Sequence, residues 1–457
     1  MSATDLGSFV PPYPPRGAGP VAVWRGFFGE RARTAVYGWS QAAFEVDYMQ
    51  RRVMGYNVHI PLHPDAVQHV LLDNAANYEK PAIVKSLLAP VIGRGLLTAD
   101  GALWRDQRRI VAASFVPAAV DSQIPTFAAA ASATMARWRD GSTTDMAVQA
   151  TATTMRIIAD SLFGGDPRLT GDDASDHITA ALEAFGGRRI QAILGLPAFA
   201  LTPKARAGLR GQNYLRSTLG NVVRDRFDQP HQDDFLGKLI AALREKFKRD
   251  EAEALAIDNA ATFYLAGHET TANAMTWALY LLSEQPVLQG RIAEEARNAL
   301  AVGHDDSGLP DRLPLLRQAF DETLRLYPSA PRLDRQAIAP DEIAGHAVAP
   351  GDIVSIWPWI IHRHKNLWDD PDAFDIDRFA PGRKNDRHRF QYLPFGAGTR
   401  VCVGARFATT EALTILAHWL SEWRVIPIPG TAVRASGMVT LRPADGLPLI
   451  VQKRYCD

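Results

Sequence analysis

Cys402 is one of only two cysteines in the chain and sits in the run Phe395-Gly-Ala-Gly-Thr-Arg-Val-Cys-Val-Gly404, just ahead of an apolar-periodic segment from Ala405 to Leu420. The amides and dipole of a helix start stabilise a sulfur anion there, as does a nearby cation such as Arg400. Gly396 and Gly398 let the backbone turn tightly and approach something flat. Three other pairings stand out by spacing. Trp104 and Arg108 are four apart and share a helix face, as do Glu322 and Arg325, three apart; alone the latter is an ion pair worth under about 1 kcal/mol. In Ala266-Gly-His-Glu-Thr-Thr-Ala272, a glycine and two threonines weaken a long helix and invite a kink. His362-Arg-His364 has metal-ligand residue types, but nothing nearby completes a zinc site, and the stretch reads as solvated.

Phe395, Gly398, Arg400, Cys402 and Gly404 occupy all five positions of a pattern that resembles the haem-binding loop of the cytochrome P-450 family. The other pairings fall in that family's order along about two thirds of the chain. The resemblance implies a mainly α fold with a minor β portion, a large helical region plus small mixed sheets, and haem between a long central helix and the cysteine loop. It implies haem b with Cys402 thiolate as axial iron ligand, which favours breaking the oxygen–oxygen bond. By the same resemblance Trp104 and Arg108 bind a haem propionate, Arg400 is better assigned to a propionate than to the thiol, and Arg335 binds the second propionate, with Arg332 left open. Ala266 and Gly267 line an oxygen-binding groove, and Glu269 and Thr270 are its acid and alcohol pair, a carboxyl beside a hydroxyl that holds water and relays protons. Glu322 and Arg325, joined by Arg378, form a buried network that holds the Cys402 loop without touching substrate. Leu333 and Met438 fall at the substrate pocket.

The activity so implied is a haem-thiolate monooxygenase inserting one atom of O2 into an apolar organic substrate by hydroxylation or epoxidation. A peroxide-driven peroxygenase and a non-catalytic haem sensor or carrier are the alternatives. No Gly-x-Gly-x-x-Gly fingerprint follows a strand, so electrons come from an external donor, by resemblance a ferredoxin with its reductase. Arg105, Arg109, Lys384, Arg387 and Arg406 are the cations expected to dock that acidic partner.

With 50 Lys plus Arg against 50 Asp plus Glu, the charge is balanced, and the footprint of a nucleic-acid binder is missing. Two cysteines exclude a disulfide framework or an iron–sulfur cluster and suit a reducing compartment. The N-terminus lacks a basic region and apolar run, and no stretch of about eighteen apolar residues occurs, so a soluble cytoplasmic protein without a membrane span is expected.

The elements that must position these residues follow from periodicity, and the reading is one domain over 1–457 with no fused reductase. Residues 1 to about 20 are Pro- and Gly-rich and extended. Phe44 to Gln50 and Arg52 to Ile60 alternate as a hairpin, and Pro64 to Leu72 reads as a short helix. From about 117 to 300 the text is helical with little strand signal, and Ile190 to Leu201, broken by Gly195 and Pro197, reads as a mobile connection over a pocket mouth. Glu251 to Ser283 is the longest helix, apolar on most sides, as a helix crossing the interior is. Leu315 to Tyr327 is a helix stopped by Pro328, and short strands are expected around Gly345, Asp352, Trp423 and Gly437.

Overall fold

The computed structural model describes residues 9–19, 34–53, 55–170, 177, 203–229, 232–303, 306–383, 386–437 and 439–454. Met438, Lys384 and the connection from Ile190 to Leu201 lie outside them, as do Cys456 and the first eight residues. The elements that place the site, in chain order, start with the hairpin β1 (Tyr48–Val53) and β2 (Tyr56–Pro61), where Gly55 takes a φ of 89° at the turn. A short helix, Pro64–Gln68, runs into a π-turn at His69–Asp73, followed by β3 (Tyr78–Glu79). Then come α1 (Gly101–Ala112), β4 (Ser142–Asp145), α2 (Met146–Phe163), α3 (Pro203–Phe227), α4 (Arg249–Ser283), α5 (Pro286–Val302) and α6 (Pro314–Leu326). The chain continues through β5 (Leu333–Ala337) and β6 (Ile353–Ile356) to α7 (Ala405–Glu422), β7 (Trp423–Pro427) and β8 (Pro448–Lys453). The fold is thus mainly helical with small sheets.

The described chain forms two compact units. One comprises residues 1–79, 127–151 and 270–457. Its larger sheet has the order β1-β2-β6-β5-β3, antiparallel except for the β2–β6 pair, where Val58 stands opposite Ile353. A three-stranded sheet of the same unit, β4-β8-β7, is antiparallel, with Leu449 opposite both Thr144 and Pro427. β4 is the strand the helical reading missed. Ser-Thr-Thr-Asp has little propensity of its own, and a partner from the far end of the chain makes it a strand. Around α7 the core is dense: every residue from Thr409 to Ser421 is buried, and Trp419 donates to the Ala131 carbonyl at 3.1 Å.

The second unit comprises residues 80–126 and 152–269. Asp258 of α4 accepts from Arg216 of α3 at 2.6 Å and from the Arg94 amide at 2.8 Å, closing a part-buried polar node. Phe115, Phe235 and Phe263 pack edge and face with centroids 4.7 to 5.8 Å apart. Helix α4 contributes its first part here and its residues from Thr270 onward to the other unit. It runs unbroken through the segment where a kink was expected. Gly267 has a packing reason instead: a side chain there would press on Ile158 of α2. Among the described residues no single helix is long and apolar enough to cross a membrane.

Candidate functional site

The loop ahead of α7 is built by backbone bonds. The Cys402 amide donates to the Phe395 carbonyl at 2.9 Å, the Gly396 amide to Leu393 at 3.1 Å, and Gly398–Arg400 form a single 3-10 turn. Gly396 and Gly398 both take a φ of 68°, which glycine adopts without strain. At Gly398 the reason is protein: a side chain would collide with the Leu71 carbonyl in the π-turn. Gly404 is the N-cap of α7, so Cys402 stands just before a helix start, as its sequence position implies. It is a reduced, exposed cysteine. Arg400 and Phe395 are half-buried in the same loop.

Behind the loop lies the network around Glu322. Arg325 donates from Nε and Nη2 to the two Glu322 carboxylate oxygens at 2.6 and 2.7 Å, and neither side chain is exposed. Arg378 Nε is 3.4 Å from the same carboxylate, and the Asp375 amide donates to it at 2.9 Å. Arg325 also reaches the carbonyls of His362, Pro371 and Ala373 at 2.6 to 2.8 Å. The three residues that the resemblance joins are brought together and buried, as that expectation had them.

The solvated reading of His362-Arg-His364 is corrected: all three residues are buried. His362 Nδ1 donates to the Arg325 carbonyl at 3.1 Å, and its Nε2 accepts from the Leu393 amide at 2.7 Å, so the imidazole ties α6 to the cysteine loop. Burial, helped by the Arg325 charge, lowers its pKa to about 3 and holds it neutral. Among the described residues no cluster of His, Cys, Asp and Glu is arranged to hold a metal. Polar residue types hid this link, because His362 and His364 find partners in backbone groups distant in sequence and Arg363 lies over the Trp359 ring.

On α4, every residue from Asp258 to Ser283 is buried except Ala266, Gly267, Glu269 and Thr270. Three of these, with Glu269 at the margin, form one face of small side chains with a carboxyl and a hydroxyl on it. The Thr270 carbonyl accepts from the Ser329 hydroxyl at 3.0 Å. About 100° further round the helix from Thr270, Thr271 faces Glu411 of α7, a residue that sequence patterning did not single out. Glu411 has no exposure and neither carboxyl oxygen finds a partner at hydrogen-bond distance and angle. Burial pushes its pKa well above the usual carboxyl range, and the Thr271 hydroxyl beside it offsets this only in part.

The two arginines left open differ in their surroundings. Arg332 Nε pairs with Asp334 at 2.9 Å and its guanidinium lies 5.4 Å from the Trp357 ring. Arg335 lies on the opposite strand face, buried, and shares that face with half-buried Leu333. A Cβ on Gly396 would lie 3.7 Å from Leu333 Cδ1, so this face borders the cysteine loop. Trp104 and Arg108 are half-buried, one turn apart on α1 in the second unit. Among the expected docking cations, Arg105, Arg109 and Arg406 are exposed, whereas Arg387 donates to the Arg378 carbonyl and lies 4.6 Å from both the Trp368 and Phe379 rings. Arg387 is therefore a packing residue.

The donor set suits an iron porphyrin. A free thiol just before a helix start is compatible with a single axial thiolate ligand, and the arginine side chains suit the propionates of such a group. A cytochrome P450 family model matches residues 44–444. The chain is 32% identical to cyclooctatin synthase of Streptomyces melanosporofaciens over 89% of each chain. It is 28% identical to pentalenene oxygenase of Streptomyces avermitilis over 93% of this chain and 94% of that one. Its fold superposes on the heme domain of a cytochrome P450DA mutant with a TM-score of 0.80 at 23% identity, covering 97% and 98% of the two chains.

Proposed function

The chain belongs to the cytochrome P450 family, and on that premise we propose that it inserts one atom of O2 into an apolar, terpenoid-like hydrocarbon with electrons from an external iron–sulfur donor. It is an oxidoreductase, a monooxygenase. The haem supplies oxygen activation when bound through a cysteine thiolate. Cys402 is that ligand, and the observation that carries the reading is its reduced thiol, with the amide fixed to Phe395, at the start of α7. By the family resemblance, Arg335, Arg400, Arg108 and Trp104 would hold the propionates, Phe395, Gly398 and Gly404 would shape the loop that presents Cys402, and Ala266, Gly267, Glu269 and Thr270 would serve the activation of oxygen. Thr270 donates a proton from its hydroxyl, and Glu269 replenishes it. Leu333 contributes to an apolar substrate wall; support for the hydrocarbon class comes from the oxygenase whose name carries pentalenene. Exposed Arg105, Arg109 and Arg406 suit a small acidic ferredoxin served by its reductase, in the cytoplasm.

The test is the carbon-monoxide difference spectrum of the reduced holoprotein, followed by a hydrocarbon library monitored at the Soret band. The expected result is a thiolate-type band that Cys402→His abolishes. With a hydrocarbon that shifts the Soret band, Thr270→Ala is expected to keep oxygen consumption and divert most of it to hydrogen peroxide. A thiolate-type band surviving in Cys402→His would overturn the ligand assignment.

A further inference from the structure

A cluster outside the proposed machinery joins the N-terminal segment to the loop behind the cysteine. Arg16 donates from Nη1 to Asp372 Oδ2 at 2.9 Å and from Nη2 to Oδ1 at 2.5 Å. Its guanidinium lies 3.8 Å from the Phe44 ring centroid and 4.4 Å from that of Tyr13, and its side chain is only 7% exposed. Such a fork between a half-buried carboxylate and two aromatic rings is more than a surface pair. Asp372 serves a second guanidinium as well: Nε of fully buried Arg363 is 3.7 Å from Oδ1, and Nε and Nη1 of Arg363 find no hydrogen-bond partner. One carboxylate thus neutralises two buried cations, and losing either of its contacts leaves the arrangement unbalanced.

The segment is fastened at both ends. The Phe374 amide donates to the Phe9 carbonyl at 2.9 Å, and the Gln41 amide to Gly17 at 3.0 Å. Between them, Pro11, Pro12, Pro14 and Pro15 keep the segment extended at little entropic cost. What it fastens is the loop that holds the Glu322 network. Pro371 and Ala373 flank Asp372 and accept from Arg325, and the Asp375 amide donates to Glu322. From Arg325 the bonds continue through His362 to the Leu393 amide at the start of the cysteine loop.

We propose that residues 9–17 are a strap that positions the Cys402 loop, with Arg16 as the positioning residue acting through Asp372. The inference goes beyond the oxygenase reading and rests on it only where haem is the reporter. A strap of this kind predicts local loosening of the loop before the fold is lost. A purely structural contact predicts loosening only in step with global unfolding.

Amide hydrogen exchange on the full chain separates the two. In Arg16→Ala, the amides of Leu393 and Cys402 are expected to exchange about tenfold faster, equivalent to about 1.4 kcal/mol of local opening. The β4-β8-β7 sheet of the same unit should keep its rate. Arg16→Lys, which keeps the charge and loses the fork, should fall between, and Asp372→Asn, which strands two guanidiniums, should exceed Arg16→Ala. In the holoprotein under mild urea, Arg16→Ala should lose its thiolate-type carbon-monoxide band while far-UV circular dichroism is unchanged. Exchange at Leu393 and Cys402 equal to wild type, or raised equally in the β4-β8-β7 sheet, overturns the strap. Absence of a thiolate-type band in the wild type overturns the haem reading instead, and exchange in the full chain without haem still decides the strap.

Discussion

Glu322 and Glu411 are the same residue type with the same complete burial, and the protein treats them in opposite ways. Glu322 meets a bidentate guanidinium, a second cation at 3.4 Å and a backbone amide. Glu411 has the Thr271 hydroxyl beside it, and neither of its oxygens finds a hydrogen-bond partner at full distance and angle. A buried charge is tolerated where partners fully replace water, and where they do not the group keeps its proton. The first carboxylate is therefore a fixed part of the scaffold behind Cys402, and the second is a neutral acid next to the helix turn that carries Thr270.

The largest effect that sharpens this contrast is expected from Glu322→Gln. It leaves Arg325 and Arg378 as buried cations without their carboxylate, a loss of about 3–5 kcal/mol. Urea unfolding of the full chain should register it, together with poor haem retention. A loss below about 1 kcal/mol would mean that backbone carbonyls alone satisfy Arg325, and the contrast with Glu411 would collapse.

His362 supplies the next test, because its neutrality is what lets Arg325 sit beside it. The unfolded chain protonates its histidine near 6.5 and the folded chain only near 3. Between those values the unfolded state binds the extra proton, so this contribution is intact above pH 6.5 and is lost as pH falls toward 3. The slope is about 1.4 kcal/mol per pH unit from this group alone. Unfolding free energies measured from pH 7 to 4 should show it, and His362→Gln should flatten the curve while costing stability at pH 7. A wild-type curve with no steeper fall than His362→Gln would show that the ring is charged in the fold.

How much of this was legible in the sequence follows from where the partners come from. The cysteine loop, the hairpin and the Glu322–Arg325 helix are local patterns, and the structure reproduces them with boundaries moved by a few residues. The Arg378 contact was legible only through the family resemblance, since its partner is more than fifty residues earlier. His362 and Arg363 were read as solvated because two histidines around an arginine have the composition of a surface. Their burial depends on the Arg325 and Leu393 backbone and the Trp359 ring, 3.7 Å from the Arg363 guanidinium. Gly267 was read as a weak point in a helix, although what demands it is Ile158 on another helix. β4 escaped for the same reason, being made by β8.

Glu411 was illegible because a charged residue on a helix suggests an exposed face, and α7 has none along that stretch. The smallest effect, and the finest probe of the comparison, is Glu411→Gln. A neutral acid replaced by a neutral amide of similar shape should change stability little near pH 5. The signs diverge at higher pH. The unfolded carboxyl ionises near 4.5, while the folded one holds its proton well above that, so the wild type loses stability as pH rises from there, by up to about 1.4 kcal/mol per unit. Glu411→Gln removes this slope and should therefore be the more stable protein from neutral pH upward, whereas Glu322→Gln is expected to be the less stable one at neutral pH because Arg325 and Arg378 lose their partner. Infrared spectra give the same distinction directly: a protonated carboxyl band present at pH 7 should vanish in Glu411→Gln and persist in Glu322→Gln. A band absent from the wild type would mean that Glu411 is ionised, with water supplying the partners its oxygens lack among protein groups.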